Sequence, residues 1–217
     1  MPKNSRHSTN NFSLSRNRGS VLADYVIGED GEKIPIDPDF RCILRCIRVL
    51  DDPELDDEKK LFLLMRWFFK SRYVPDALDL FVGFVSNADC SDDEPPVMDF
   101  EQDADAIYAS FVEQYGIDLL DVDTMHWRKF SVLLGGINEK TPLGRRIAIR
   151  DMDTTNLKGK DKIKADRAKR RVALKERMSK AERDLQSRLD EVLASGGDPT
   201  EVLNAMRAFY GGESNGI

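Results

Sequence analysis

Histidine and cysteine are scarce in this chain, two and three among 217 residues. An active site gathers a nucleophile, a base and an electrostatic stabiliser, and histidine is the side chain that titrates nearest neutrality, so the material for one is thin. No GxxxxGK[ST], GxGxxG, HExxH, GxSxG or CxxC spacing occurs. Phosphate cradles, zinc helices, nucleophile elbows and dithiol pairs therefore leave no local signature. No apolar run approaches the roughly 20 residues that a bilayer-spanning helix needs. The apolar segment that follows the basic residues of a secretory signal is also missing, which makes a cytoplasmic location the expectation. Lysine and arginine are absent from Tyr73 to Trp127, a stretch that carries fourteen carboxylates.

What is present is charge. Charged residues make up 33% and hydrophobic residues 41%, a globular composition with long solvated helix faces. The length suits one domain with appendages. The charge is segregated: residues 1–20 carry +4, residues 73–127 carry −14 and residues 128–183 carry +11, within a net charge of −6.

Residues 1–20, rich in Ser, Asn and Arg, cannot offset the entropy of ordering and read as a basic tail. Val21 to Val26 and Lys33 to Ile36 flank Gly28-Glu29-Asp30-Gly31, the pattern of a short β-hairpin. Asp37 as cap and Pro38 at the first position start a helix bearing Phe40, Ile43, Leu44 and Ile47. A second helix begins near Asp57, with apolar residues nearly all round, and is expected to be the most buried. Pro75 opens a third, with Leu78, Phe81, Val82 and Val85 on one side. Residues 87–99 form an acidic loop. Helices over Phe100 to Tyr115, Thr124 to Leu134 and Thr141 to about Ile149 follow, the first stopped by Gly116. Lys158 to about Ala194 reads as one long charged helix, with acid-first pairs such as Asp166 and Arg170 spaced four apart. Asp198 and Glu201 form a capping box for a last helix, before a frayed end at 211–217. The fold class is all-α with a short N-terminal hairpin and a long charged C-terminal helix. The domains are a core at 21–150 and a helical arm at 151–210.

Candidate chemistry is sparse. Cys42 and Cys46 sit four apart on a helix, a metal-capable spacing, but apolar neighbours favour burial, and free thiols are expected there and at Cys90. His126, with Asp121 and Asp123 upstream, offers a metal ligand or general base; a helix start with capping carboxylates is the favoured reading. The Asp103 and Asp105 pair lacks the ligand set of a calcium loop, and helix capping is favoured there too. No catalytic residue, metal or cofactor is expected. The basic segment 158–171 suggests a nucleic acid partner, but it lacks stacking aromatics and contains acids, so a solvated or protein-facing helix is favoured.

The acidic DFEQDA helix entry, the YGIDL link, the MHWxKFxxLLxGI helix and the RxMD turn into a basic helix, all within Phe100 to Lys162, resemble a family of tail proteins from siphophages and prophages of Gram-positive bacteria. That resemblance implies a non-enzymatic tail assembly chaperone, encoded beside the tape-measure protein, that binds it and helps recruit tail tube protein in the host bacterial cytoplasm. Alternatives are a minor structural tail component of the virion and a nucleic-acid-binding regulator acting through residues 158–171. The contact residues expected in and near the matching motif are Tyr108, Tyr115, Trp127, Lys129, Phe130 and Arg146. The acidic and basic blocks could also attract each other between copies, or meet inside one chain.

Overall fold

A computed structural model describes residues 22–86, 97–175 and 180–212. The expected basic tail at 1–20, most of the acidic loop, Cys90 and residues 213–217 lie outside the described residues. The fold is mostly helical with one antiparallel hairpin, as the sequence implies. Strands β1 (Tyr25–Ile27) and β2 (Lys33–Pro35) pair with Val26 opposite Ile34. Their turn closes through Gly31 N–H on Gly28 O at 3.0 Å, with Gly31 at φ +76°.

Helices α1 (Phe40–Leu50), α2 (Asp57–Trp67), α3 (Ala77–Val85), α4 (Ala104–Tyr115), α5 (Trp127–Gly135), α6 (Pro142–Asp151) and α7 (Gly159–Val172) follow in the first compact unit, which spans residues to 51 and 57–174. Its core runs from Val26 and Ile36 through Phe40, Phe68, Phe81, Phe111 and Phe130 to Leu143. Phe40 and Phe111 both stack on Phe130, at 4.6 and 5.3 Å between centroids, so α1 and α4 meet across α5. The second unit, residues 52–56 and 175–217, contains α8 (Lys180–Ala194) packed on α9 (Thr200–Gly212). The Asp198 carboxylate accepts from Thr200 N–H at 2.9 Å just ahead of α9.

Several expectations shift. The α1 cap is Asp39, which accepts from Arg41 N–H at 2.9 Å, two residues after the expected Asp37. The cause is long-range: Asp39 bridges His126 in antiparallel fashion, and Pro38 O accepts from Trp127 N–H at 2.7 Å, so residues 37–39 stay extended. α2 is not the most buried helix. Within it only Leu64 is buried, whereas α3 buries Ala77, Leu80, Phe81 and Phe84. α2 stops at Trp67 because Lys70 and Ser71 adopt left-handed φ of 53° and 66°, a turn that drives Phe68 and Phe69 into the core. On α3 the buried face is rotated from the expected one, leaving Leu78 and Val82 outside at 44% and 50% exposure. α4 begins at Ala104 rather than Phe100, after a turn in which the Asp99 carboxylate accepts from the Glu101 and Gln102 N–H groups.

The expected single helix from Lys158 to Ala194 is two helices. α7 ends at Val172, although no glycine or proline stands there; the Arg150 side chain takes the Val172 carbonyl, so the stop is tertiary. α6 starts where the sequence indicates, with Thr141 Oγ1 accepting from Gly144 N–H at 3.2 Å and Pro142 at the first position. Gly144 is obligatory: a Cβ there would stand 2.2 Å from Asn138 O. No described helix is long and apolar enough to cross a membrane.

Candidate interaction surface

The six residues singled out by the sequence fall in two settings. Trp127 and Phe130 lie on the inner face of α5 and are buried. Trp127 donates from Nε1 to Val85 O at 3.3 Å and stacks on Phe130 at 5.7 Å. Their surfaces are taken up by α1, α3 and α4. Tyr115 packs on Phe111 and donates from its hydroxyl to Leu133 O at 2.8 Å, joining α4 to α5. Tyr108 is half-buried and donates to Asp118 Oδ2 at 3.2 Å. Lys129 is exposed on the outer side of α5.

Arg146 belongs to a charge cluster that the sequence did not reveal. Asp103 is fully buried, and its carboxylate is held by Arg150 Nη1 and Nη2, both at 2.7 Å, by Arg146 Nη1 at 3.2 Å and by Asp99 N–H at 3.1 Å. Burial pushes the Asp103 carboxyl up, but the hydrogen bonds from Arg150, Asp99 and Arg146 outweigh it and hold the group below the usual carboxylate range. Arg146 also grips Asp105 in bidentate fashion, at 3.0 and 2.7 Å, which lowers the Asp105 carboxyl as well. The acidic and basic blocks thus meet here inside one chain. Asp103 stands at the cap position of α4 but makes no side-chain cap bond, contrary to the capping expectation for it. The available signal was the pairing of an acidic helix entry with arginines spaced four apart.

His126 is itself the cap of α5. Its Nδ1 accepts from Arg128 N–H at 3.0 Å, which leaves Nε2 to donate to Ala23 O at 3.2 Å. Burial pushes its pKa down, so the ring is a neutral structural link between the N-terminal segment and α5. The capping expected of Asp121 and Asp123 falls instead to His126 and to Asp118, whose Oδ1 accepts from Leu120 N–H at 2.8 Å. Cys42 and Cys46 are both buried thiols. Their mutual hydrogen bond, reinforced by burial, pushes the Cys42 thiol far up, which suits packing and not nucleophilic attack.

Surface hollows among the described residues include two on this unit. One is lined by Glu29, Asp30, Arg72, Tyr73 and Asp76, the other by Asp39, Arg41, Arg45, Trp67 and Asp123. Neither brings a base to an activated nucleophile. What the surface does offer is apolar area. Leu78 and Val82, one turn apart, form an outward strip on α3, a helix whose only charge is Asp79.

Residues 22–174 match the family described as Bacteriophage Gp15 protein. That stretch ends at Leu174, as the first compact unit does. No curated protein and no solved structure matches the chain.

Proposed function

This chain belongs to the Bacteriophage Gp15 protein family, and we propose that it acts without catalysis as a tail assembly chaperone, binding the tape-measure protein in the host bacterial cytoplasm and helping to recruit tail tube protein. The observation that carries this reading is the α3 strip. A soluble chain that leaves Leu78 and Val82 outside on a helix already apolar on its core side is equipped to lend apolar area to a helical client. The surrounding segment, without lysine or arginine from Tyr73 to Trp127, keeps such a complex charged and in solution. Resemblance of the DFEQDA, YGIDL and MHWxKFxxLLxGI motifs to siphophage tail proteins supports the same assignment. Lys129, exposed on α5, is a further candidate contact, and Tyr108 and Tyr115 brace α4 through Asp118 and Leu133 O.

Co-expression tests the proposal. The tape-measure protein should move into the soluble fraction with this chain and elute with it; continued insolubility overturns the reading. Mass spectrometry of purified virions separates a chaperone, which is absent from particles, from a minor structural tail component, which is retained.

One observation favours a second reading, a nucleic-acid-binding regulator. α7 carries seven basic and two acidic side chains, and none of the ion pairs among the described residues involves it. Phosphate contacts of that kind predict retention of DNA that falls steeply with added salt.

A further inference from the structure

Two exposed apolar side chains stand in surroundings of opposite sign. Ile163 projects from α7 with 60% of its surface exposed. At 3.6 residues per turn, Lys160, Lys164, Arg167 and Arg171 share a strip about 60° wide, with Ile163 about 40° beyond its Arg167 edge and both acids outside it. Buried Ala165 and half-buried Ala168 and Val172 mark the packed side of the helix, where α7 meets α6, whereas all four cations are exposed. The cations therefore face solvent.

Leu120, 82% exposed, occupies the loop after α4. That loop is fixed from both sides. Asp118 Oδ1 accepts from Leu120 and Asp121 N–H groups at 2.8 and 3.3 Å. Across the chain, Arg41 donates to the carbonyls of Leu119, Val122 and Asp123, and Leu119 is buried. With its neighbour anchored inward, Leu120 is held outward between Asp118, Asp121 and Asp123.

We propose that these surfaces are the two halves of one interface: the α7 strip of one copy docks on the Leu120 loop of a second copy, Ile163 against Leu120, with cations facing carboxylates around them. Within a single chain neither surface covers the other, since both apolar side chains remain exposed. The halves are different, so the contact is head-to-tail, and repetition gives a closed ring or an open chain. Ion pairs around a small apolar centre make such an association salt-sensitive. A nucleic acid is the weaker occupant: phosphates gain nothing from Ile163, α7 offers no aromatic ring for stacking, and the net charge of −6 opposes a polyanion. This inference does not rest on the chaperone reading and needs no client.

Sedimentation velocity of the purified full-length protein, without partners, tests it at about 0.05 M and 0.5 M salt. The wild type should form species larger than the monomer that increase with concentration and decline at high salt. The double variant K164E/R167E and the double variant D121K/D123K should each be monomeric, with helical circular dichroism unchanged because all four side chains are exposed. Mixing the two variants should restore association, since each supplies the sign that the other lacks. A monomeric wild type throughout, larger species untouched by either variant, or no restoration on mixing overturns the proposal. So does K164E/R167E abolishing retention of an oligonucleotide while leaving the oligomeric state unchanged, which assigns the strip to nucleic acid.

Discussion

Arg150 closes on Asp103 with both terminal nitrogens, Nη1 to Oδ2 and Nη2 to Oδ1, each at 2.7 Å. The carboxylate is fully buried and the Arg150 side chain nearly so, at 13% exposure. Removing one member of such a pair leaves the other uncompensated in a poorly polar setting. Asp103→Ala should therefore cost about 3–5 kcal/mol, and Asp103→Asn somewhat less, read as the shift of a urea unfolding midpoint. A loss below 1 kcal/mol would show the cluster to be dispensable. Because the folded Asp103 titrates below its unfolded value, its contribution is complete above the ordinary aspartate range and fades as pH falls through and beneath it.

This cluster shows where the sequence was legible and where it was not. Local chemistry was readable: Thr141-Pro142 starts α6 and Gly116, at φ +63°, ends α4. Features fixed by distant partners were not. Asp103 meets arginines 43 and 47 residues away, the α1 cap moved because Asp39 bridges His126, and α7 stops where Arg150 takes a carbonyl. Periodicity failed on α3 for another reason. With apolar residues on every side it has no polar face to set the phase, and the outward strip fell on Leu78 and Val82, residues that the pattern had assigned inward. In the expected contact set, aromatic content marked α5, but an aromatic residue marks a core as readily as a surface, and Trp127 and Phe130 are core.

At the α5 cap, burial depresses the His126 pKa, so the unfolded chain binds this proton more readily than the folded one. Stability should hold above about pH 6.5 and decline as pH drops below it, ahead of carboxylate titration. His126→Asn, which can cap but does not titrate, should flatten that segment of a plot of Tm against pH. An unchanged slope would contradict the neutral tautomer.

Close approach of the Asn138 carbonyl to α6 leaves no space beside Gly144. Gly144→Ala should destabilise by about 1–3 kcal/mol despite alanine's better helix propensity. Gly135→Ala, with nothing near its would-be Cβ, serves as the control and should stay within about 0.5 kcal/mol of wild type. Equal effects at the two sites would refute the packing argument.

The outward strip of α3 separates function from folding. Leu78→Asn with Val82→Asn should leave Tm within a few degrees, because both side chains are already half in water. The same pair should reduce the amount of tape-measure protein recovered soluble in co-expression at least about tenfold, the equivalent of roughly 1.4 kcal/mol of binding. Recovery at the wild-type level would remove α3 from the contact surface.

The Arg150 guanidinium also reaches the Val97 carbonyl at 3.0 Å, in addition to Asp103 and the last carbonyl of α7. One side chain on α6 thereby fastens the approach to α4, its cap residue and the end of α7. Amide protons in these stretches should exchange with deuterium as a single cooperative block. A chain shortened to end at Leu174 should retain that block whole, because every partner of the fastener lies before the cut.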